Sequence, residues 1–392
     1  MARNIAEDEI PTGWKYGLLE KFATRCSGHT PSKSHPEYWN GGVKWISLTD
    51  SHRLDKGYVY ATDKEISLEG IKNSSAEVHP AETVVISRDA GIGKSGVMAE
   101  PMAVSQHFIA WKCDNKENLN SWFLYNWLQL NKVEFERQAV GSTIKTIGLP
   151  YFKKIKIAVP PYSEQKRIAQ ILSAWDKAIA TTEQLLANSQ QQKRALMQQL
   201  LAGKKRLLDK DGVRFGGVWK HGHLSDLCKI TKGKALSSKD LIDGDYPVIA
   251  GGKSSPYNHR DFTHENVITV SASGAYAGYV AYHPYKLWAS DCSVVMGKTN
   301  SDICFIYQLM SHMQSKIYSL QSGGAQPHVY PKDLEVLRVS IPPLEEQQKI
   351  AAVLSLADRE ISALQQNMNA LKQEKKALIQ QLLTGKRRTK VE

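Results

Sequence analysis

Gly91-Ile92-Gly93-Lys94-Ser95-Gly96 is the segment most suggestive of chemistry. Its G-x-G-x-x-G spacing fits the dinucleotide fingerprint, in which glycines let a pyrophosphate approach a helix start. Its Gly-Lys-Ser ending matches the close of a phosphate-cradling loop. Both chemistries need a helix directly after the loop, yet residues 97–101 are a short link to another extended run. The phosphate-cradling loop also needs a glycine at position 88, which is Arg88. What remains is a glycine-rich loop carrying Arg88, Lys94 and Ser95. Such a loop either approaches a phosphate backbone or simply turns between two strands.

The other chemical motifs are weaker still. Pro160-Pro161-Tyr162 resembles part of the N-P-P-Y tetrapeptide of amino-methyltransferases, but Val159 stands where the amine-orienting Asn or Asp belongs. His221-Gly222-His223 is too closely spaced for a metal site and reads as a turn. The five cysteines, Cys26, Cys113, Cys228, Cys292 and Cys304, are odd in number and contain no C-x-x-C pair. Neither a disulfide framework nor a structural zinc site is expected, and a reducing cytoplasm fits. No nucleophile–base constellation and no nuclease-like acidic cluster is evident. The expectation is a chain that is not an enzyme, with no metal and no cofactor of its own.

The 392 residues exceed one ordinary core and suggest two or three domains. With 42% hydrophobic residues, 23% charged and nine tryptophans, the composition is globular and excludes wholesale disorder. There is no apolar run long enough to span a bilayer, and no secretory leader is expected at the start. A formal charge of +12 hints at a polyanionic partner. The densest basic runs, Lys204-Lys205-Arg206 and Lys386-Arg387-Arg388, expose an internal repeat.

Residues 160–206 and 342–388 align without a gap at an offset of 182, and 22 of their 47 pairs are identical. Upstream, over 123–159, only three of 37 pairs match, although apolar character is kept at Ile155/Leu337, Ile157/Val339 and Val159/Ile341. A second anchor pairs Trp14-Lys15 and Gly17 with Trp219-Lys220 and Gly222 at an offset of 205, so the first copy is 23 residues longer. The order is globule, shared helix, globule, shared helix.

Each prolyl pair, Pro160-Pro161 and Pro342-Pro343, marks a helix start, and Gly203 and Gly385 mark the stops. Glu164, Gln165, Glu346 and Gln347 fall in the first turns, where the helix dipole favours a carboxylate; they read as helix-start residues, with contact to a partner as the alternative. Between start and stop the apolar spacing is heptad-like. One seam runs Ile168, Leu172, Trp175, Ile179, Thr182, Leu186, Ser189, Lys193, Leu196, Leu200. The other runs Ile350, Leu354, Ala357, Ile361, Leu364, Met368, Leu371, Lys375, Leu378, Leu382. Ten seam positions in one register indicate a coiled coil, most simply between the two helices, parallel or antiparallel. Packing of each helix only on its own globule is the other arrangement. In the globules, strands are expected at 44–49, 82–88, 104–112, 266–271 and 293–297, and amphipathic helices at 121–137 and 301–318.

Two similar helices present two similar faces, which suits two copies of one partner; two divergent globules suit two different ligands. The repeated [IV]-x-[VI]-P-P-x-x-E-Q-x-x-I-A-x-[IV]-L-S-x-x-D segment ends in L-[IM]-Q-Q-L-L-[AT]-G-K. Placed after each of two unlike globules, it resembles the specificity subunit of type I restriction–modification enzymes. Gly13-Trp14 and Gly28-His29-Thr30-Pro31-Ser32 also look like that family's domain start, whereas Gly233-Lys234-Ala235-Leu236-Ser237 lacks the Thr-Pro.

The resemblance covers nearly the whole chain. It implies an α+β fold of two mixed α/β target recognition domains, separated by two long helices that form an antiparallel coiled coil in a pseudo-two-fold duplication. The blocks would be 1–159 (first recognition domain), 160–206 (central helical spacer), 207–341 (second recognition domain) and 342–392 (C-terminal spacer and basic tail). It implies double-stranded DNA as ligand, each domain reading half of a bipartite site. It implies two adenine-methylating modification subunits that use S-adenosylmethionine, and motor-nuclease subunits in the restriction form. Candidate DNA-reading residues are Arg88, Lys94, Ser95, Ser142, Thr143, Lys145 and Thr146 in the first globule. In the second they are Lys253, Ser273, Tyr276, Gln326, His328 and Tyr330. The readings from other classes are a coiled-coil adaptor that joins proteins without reading DNA, and an enzyme with an unrecognised site in one globule.

Overall fold

The computed structural model describes residues 10–113, 118–141, 145–253, 255, 257–324 and 326–389. The chain divides into two compact units: one is built from residues up to 181 together with those from 368 onward, the other from 182–367. These units cut across the four consecutive blocks suggested by the sequence. Each long helix belongs by its first half to the unit of the globule before it, and by its second half to the other unit.

In the first unit, a five-stranded sheet has the order Thr24–Ser27, Phe108–Lys112, Val84–Ser87, Ser95–Met98, Tyr58–Val59. A three-stranded sheet combines Lys64–Ile66, Trp39–Ile46 and Ala103–Val104. In the second unit, one six-stranded sheet has the order Cys228–Lys232, Cys292–Gly297, His264–Ser271, Val280–Ala289, Tyr246–Ile249, Asn258–His259. Each globule is also closed by a two-stranded antiparallel ribbon joining its beginning to its end. Lys15 faces Val159 in the first, and Lys220 faces Ile341 in the second. The two registers coincide under the sequence offsets of 205 and 182. Two strands of the extra three-stranded sheet, Trp39–Ile46 and Lys64–Ile66, lie in the stretch before Val84.

Several expected elements are shorter than the sequence suggested. The helix expected at 121–137 is two, Ser121–Leu130 and Lys132–Gln138, broken at Asn131. That at 301–318 is likewise Ile303–His312 and Gln314–Tyr318. The strand at 104–112 is interrupted by a turn in which the Phe108 amide donates to the Ser105 carbonyl at 3.1 Å. The two domain-start glycines play one role despite the missing Thr-Pro. A Cβ on Gly28 would stand 2.0 Å from the Val104 carbonyl oxygen, and one on Gly233 would stand 2.4 Å from that of Ser290. A tryptophan indole then locks the next residue: Trp45 donates to the His29 carbonyl and Trp288 to that of Lys234.

The long helices are Tyr162–Leu200 and Leu344–Leu383, starting directly after the prolyl pairs. They end at Gly203 (φ 67°) and Gly385 (φ 69°), in the left-handed region that glycine enters without strain. All twenty seam positions are buried or half-buried. Within each unit the helices run antiparallel. In the first, the Lys375 ammonium reaches the Asp176 carboxylate. In the second, Lys193 reaches Asp358 at 2.5 Å and the Ser189 hydroxyl donates to Glu360 at 2.8 Å. The polar seam positions Ser189, Lys193 and Lys375 are thus satisfied across the helix pair.

The helices are also part of the globular cores. Ile168, Leu172, Leu382 and Leu383 join the first unit's core around Trp111, Phe123 and Phe152. Met197, Leu200, Leu201, Ile350 and Leu354 join the second unit's core around Phe305 and Leu334. Each fully buried leucine contributes roughly 1.5–3 kcal/mol.

The helix starts are fastened by buried polar groups. Glu164 accepts both arms of the Arg388 guanidinium at 2.8 Å, and Glu346 accepts both arms of Arg206 at 2.6 and 2.7 Å. Arg388 and Arg206 also lie over the rings of Trp14 and Trp219. Gln165 accepts the amide of Asn120, which caps the helix at Ser121. Gln347 accepts the amide of Asp302, which caps the helix at Ile303. The first-turn reading of these four residues from the helix dipole alone therefore missed their main role as buried fasteners.

The two latches are not equal. Glu346 also accepts from the Trp219 indole at 2.9 Å, whereas the Trp14 indole has no hydrogen-bond partner among the described residues. The Arg206 side chain is 18% exposed and that of Arg388 is 42%. Removing one partner of a buried pair costs roughly 3–5 kcal/mol, and less where solvent reaches the pair. Glu346→Ala is therefore expected to destabilise the second unit by more than Glu164→Ala destabilises the first. Hydrogen exchange resolved by peptide checks this; an equal or reversed order would show that the indole and the deeper arginine add nothing.

Candidate nucleic-acid interface

The strand Val84–Ser87 runs through Arg88 into the glycine-rich loop, and Ser95–Met98 returns beside it. The loop is a turn between antiparallel strands, with Gly91 and Gly93 at positive φ. The Ser87 amide donates to the Lys94 carbonyl at 2.8 Å and the Gly93 amide to that of Ser87 at 3.0 Å. A strand follows it, which removes the dinucleotide and phosphate-cradling readings.

The loop around residue 141 is fastened against the end of this strand. Val140 and Thr146 bridge each other, and the Ile147 amide donates to the Arg88 carbonyl at 2.9 Å. The Arg88 side chain returns the contact, its Nε donating to the Ile147 carbonyl at 3.1 Å. The Thr146 hydroxyl binds the Asp89 carboxylate, which His107 also contacts. An open cleft of about 570 Å³ results, in which Lys94, Lys132 and Lys145 surround Asp89 and Glu136. Lys132 is held by Asp55 at 2.6 Å and Lys94 by the Ser51 carbonyl at 3.2 Å, while Lys145 is exposed.

The second unit repeats this frame with different side chains. Ser322 and His328 bridge each other, as Val140 and Thr146 do. The Val329 amide donates to the Ala272 carbonyl at 3.0 Å, just past the strand His264–Ser271. Ser273 also bridges His328, and its hydroxyl binds Asp291. The Gly274 amide donates to the Pro327 carbonyl at 3.1 Å. The Lys253 ammonium lies 5.2 Å from the centre of the Tyr276 ring, and His328 stacks on Tyr330 at 6.0 Å. Lys253, Gln326, Tyr276 (44%) and Tyr330 (39%) are exposed. Residues 253, 273–276 and 326–330 are far apart in sequence and meet on one surface.

Ser95 needs correction as a DNA-reading residue. It is fully buried, with its hydroxyl accepting from Gln129 at 2.8 Å. Thr146 and Ser273 spend their hydroxyls on Asp89 and Asp291 and act as fasteners of the presenting loops. Ser142 and Thr143 lie outside the described residues.

Beside the second surface is a cavity of about 120 Å³ lined by Gly251, Lys253, Thr269, Ser271, His283 and Tyr285. Burial pushes His283 down to about 4. Its neutral ring bridges the Thr269 hydroxyl at 2.9 Å and the Tyr285 hydroxyl at 3.0 Å.

A family model, the type I restriction modification DNA specificity domain, matches residues 11–188 and again 217–373. The chain belongs to this family. It is 22% identical to the type I restriction enzyme MjaIX specificity subunit of Methanocaldococcus jannaschii, over 97% of this chain and 95% of that one. It is 24% identical to the EcoprrI specificity subunit of Escherichia coli, over 87% and 86%. The type I restriction–modification S subunit from M. genitalium superposes with a TM-score of 0.66 at 15% identity, covering 97% of this chain and 98% of that one. A chain from a structure concerned with complex assembly and conformational transition of the type I R-M system gives 0.55 at 16% identity, covering 95% and 98%. This specificity subunit thus has the family's two-domain α+β fold. No helix among its described residues is long and apolar enough to cross a membrane.

His283 makes one pH effect testable. Its folded value lies below the ordinary 6.5, so the stability it gives by staying neutral is complete above about pH 6.5 and lost as pH falls toward 4. His283→Gln removes that dependence. The stability gap between the parent protein and the variant should shrink from pH 7 to pH 5, measured by urea unfolding; a gap independent of pH would show the imidazole to be open to protons in the folded state.

Proposed function

We propose that this specificity subunit is the DNA-reading component of a type I restriction–modification complex, each globule binding one half of a bipartite, asymmetric site. The observation that carries this reading is the pair of equivalent loops. They are fastened at matching positions, 140 with 146 and 322 with 328. Yet residues 142–146 and 324–328, Ser-Thr-Ile-Lys-Thr and Gly-Ala-Gln-Pro-His, share no identical pair. One frame with two sets of side chains suits two different half-sites. Gln326 offers the paired donor and acceptor that reads a base edge, while Lys145 and Lys253 suit phosphate.

In this reading the long helices set the spacing of the half-sites and dock two adenine-methylating modification subunits, and through them motor-nuclease subunits. The similar outer faces of the repeated helices favour two copies of one partner. S-adenosylmethionine belongs to those partners, this chain itself catalyses nothing, and the complex works in the cytoplasm.

Methylome sequencing with and without the gene tests the reading. The expected result is a split motif carrying N6-methyladenine in both halves, lost with the gene; an unchanged methylome in cells that make the assembled complex would sink it. Gln326→Ala in the reconstituted complex should cost roughly 1–3 kcal/mol and relax one base position, whereas Lys145→Ala should weaken all sequences alike and flatten the salt dependence. Unaltered binding by both variants would remove these loops from the interface.

A further inference from the structure

Away from the presenting loops, the first unit gathers three groups of unlike chemistry. Cys26 lies on the sheet-edge strand Thr24–Ser27. Glu77 and His79 lie in the segment that leads to Val84, where His79 is pinned by backbone hydrogen bonds to Met102 in both directions, at 2.8 and 3.0 Å. The Cys26 sulfur, a Glu77 carboxylate oxygen and a His79 ring nitrogen all lie within 4.8 Å of one another. His79 is 1% exposed, and neither of its ring nitrogens has a hydrogen-bond partner among the described residues. A buried imidazole of this kind normally bonds to a neighbour through at least one nitrogen. Here its ring faces a sulfur and a carboxylate.

We propose that Cys26, Glu77 and His79 form a binding site for a zinc-like divalent ion in the first unit. A thiolate, an imidazole and a carboxylate are the donors that zinc takes, with metal–ligand distances of about 2.0–2.3 Å and tetrahedral angles. Tetrahedral donors stand about 3.5 Å apart at those distances, so the three groups need to close by an ångström or so. Glu77 is exposed, so its side chain is free to move toward the other two groups. Three protein ligands leave the fourth position to water. The sequence hides the site, because the ligands are 51 and 53 residues apart and form no short Cys/His motif.

Charge and protons balance. Burial lowers the proton affinity of His79 and raises the Cys26 thiol, so the metal-free site holds a neutral imidazole and a neutral thiol. Binding forms the metal–sulfur bond and breaks the sulfur–hydrogen bond, releasing that proton to solvent. The thiolate and the Glu77 carboxylate then neutralise the dication. The Lys112 ammonium and the Arg25 guanidinium, the cations near the sulfur, both favour the thiolate. Affinity accordingly rises with pH.

The test uses the full chain, purified with chelator and titrated with cobalt(II) and then zinc. The expected result is one ion per chain, a thiolate-to-cobalt charge-transfer band with tetrahedral d–d bands, and zinc protection of one of the five thiols, Cys26, from alkylation. Cys26→Ser abolishes the charge-transfer band and His79→Gln the tight binding, while Cys113→Ser keeps both. Glu77→Gln, on the surface and harmless to folding, weakens binding and so keeps the test open should the His79 variant not fold. No retained ion in the parent chain, or full binding by Cys26→Ser and Glu77→Gln, overturns the proposal.

Discussion

Two carboxylates with almost no access to water, Glu164 and Glu346, sit at the first turns of the long helices, and each is met by a guanidinium from beyond the end of the other helix. A buried carboxylate cannot be left unpaired without a large desolvation cost. That condition selects the antiparallel arrangement within each unit. A parallel pair would bring Glu164 beside Glu346 and leave both arginines at the far ends. The heptad seam is indifferent to direction; the fork-to-fork pairs are not. Lys193 with Asp358 and Lys375 with Asp176 repeat the same preference one step further along.

From that constraint the positions of the presenting loops follow. The latch fixes the helix start; Gln165 and Gln347 then hold the caps of the helices that begin at Ser121 and Ile303. Each of these helices packs on its sheet, and the sheet's strand end receives the loop. The described fasteners of this frame include Val140, Thr146 and Ile147 in the first globule and Ser322, Pro327, His328 and Val329 in the second. The long helices are alike in 22 of 47 pairs, while the globules keep apolar character rather than identity at packed positions such as Ile155/Leu337 and Ile157/Val339.

What the sequence made legible was local. Prolyl pairs and stop glycines bound the helices to within a residue or two, and heptad spacing picked out every half-buried seam position. The offsets of 182 and 205 also hold in the two ribbons, which the sequence alone did not mark as strands. Tertiary pairing was less visible. Arg206 and Arg388 stood out as members of the basic runs that exposed the repeat. The signal was nevertheless present: Glu164, Glu346 and both arginines belong to the identical pairs of the repeat. Ser95 misled because all four residues of its strand are buried, so alternation offered no outward face. Asn131 breaks a helix that apolar periodicity continued through, and no spacing rule relates Cys26 to His79.

The latch of the first unit joins residues 224 positions apart, Glu164 and Arg388, while that of the second spans 140. On a ribosome adding about 5–20 residues per second, some 10–45 seconds separate the emergence of the first glutamate from that of its arginine. For that interval the nascent first globule carries an uncompensated carboxylate and an uncovered apolar helix face, whereas the second unit is complete in one contiguous stretch. The globule that is translated first is therefore latched after the one that is translated second.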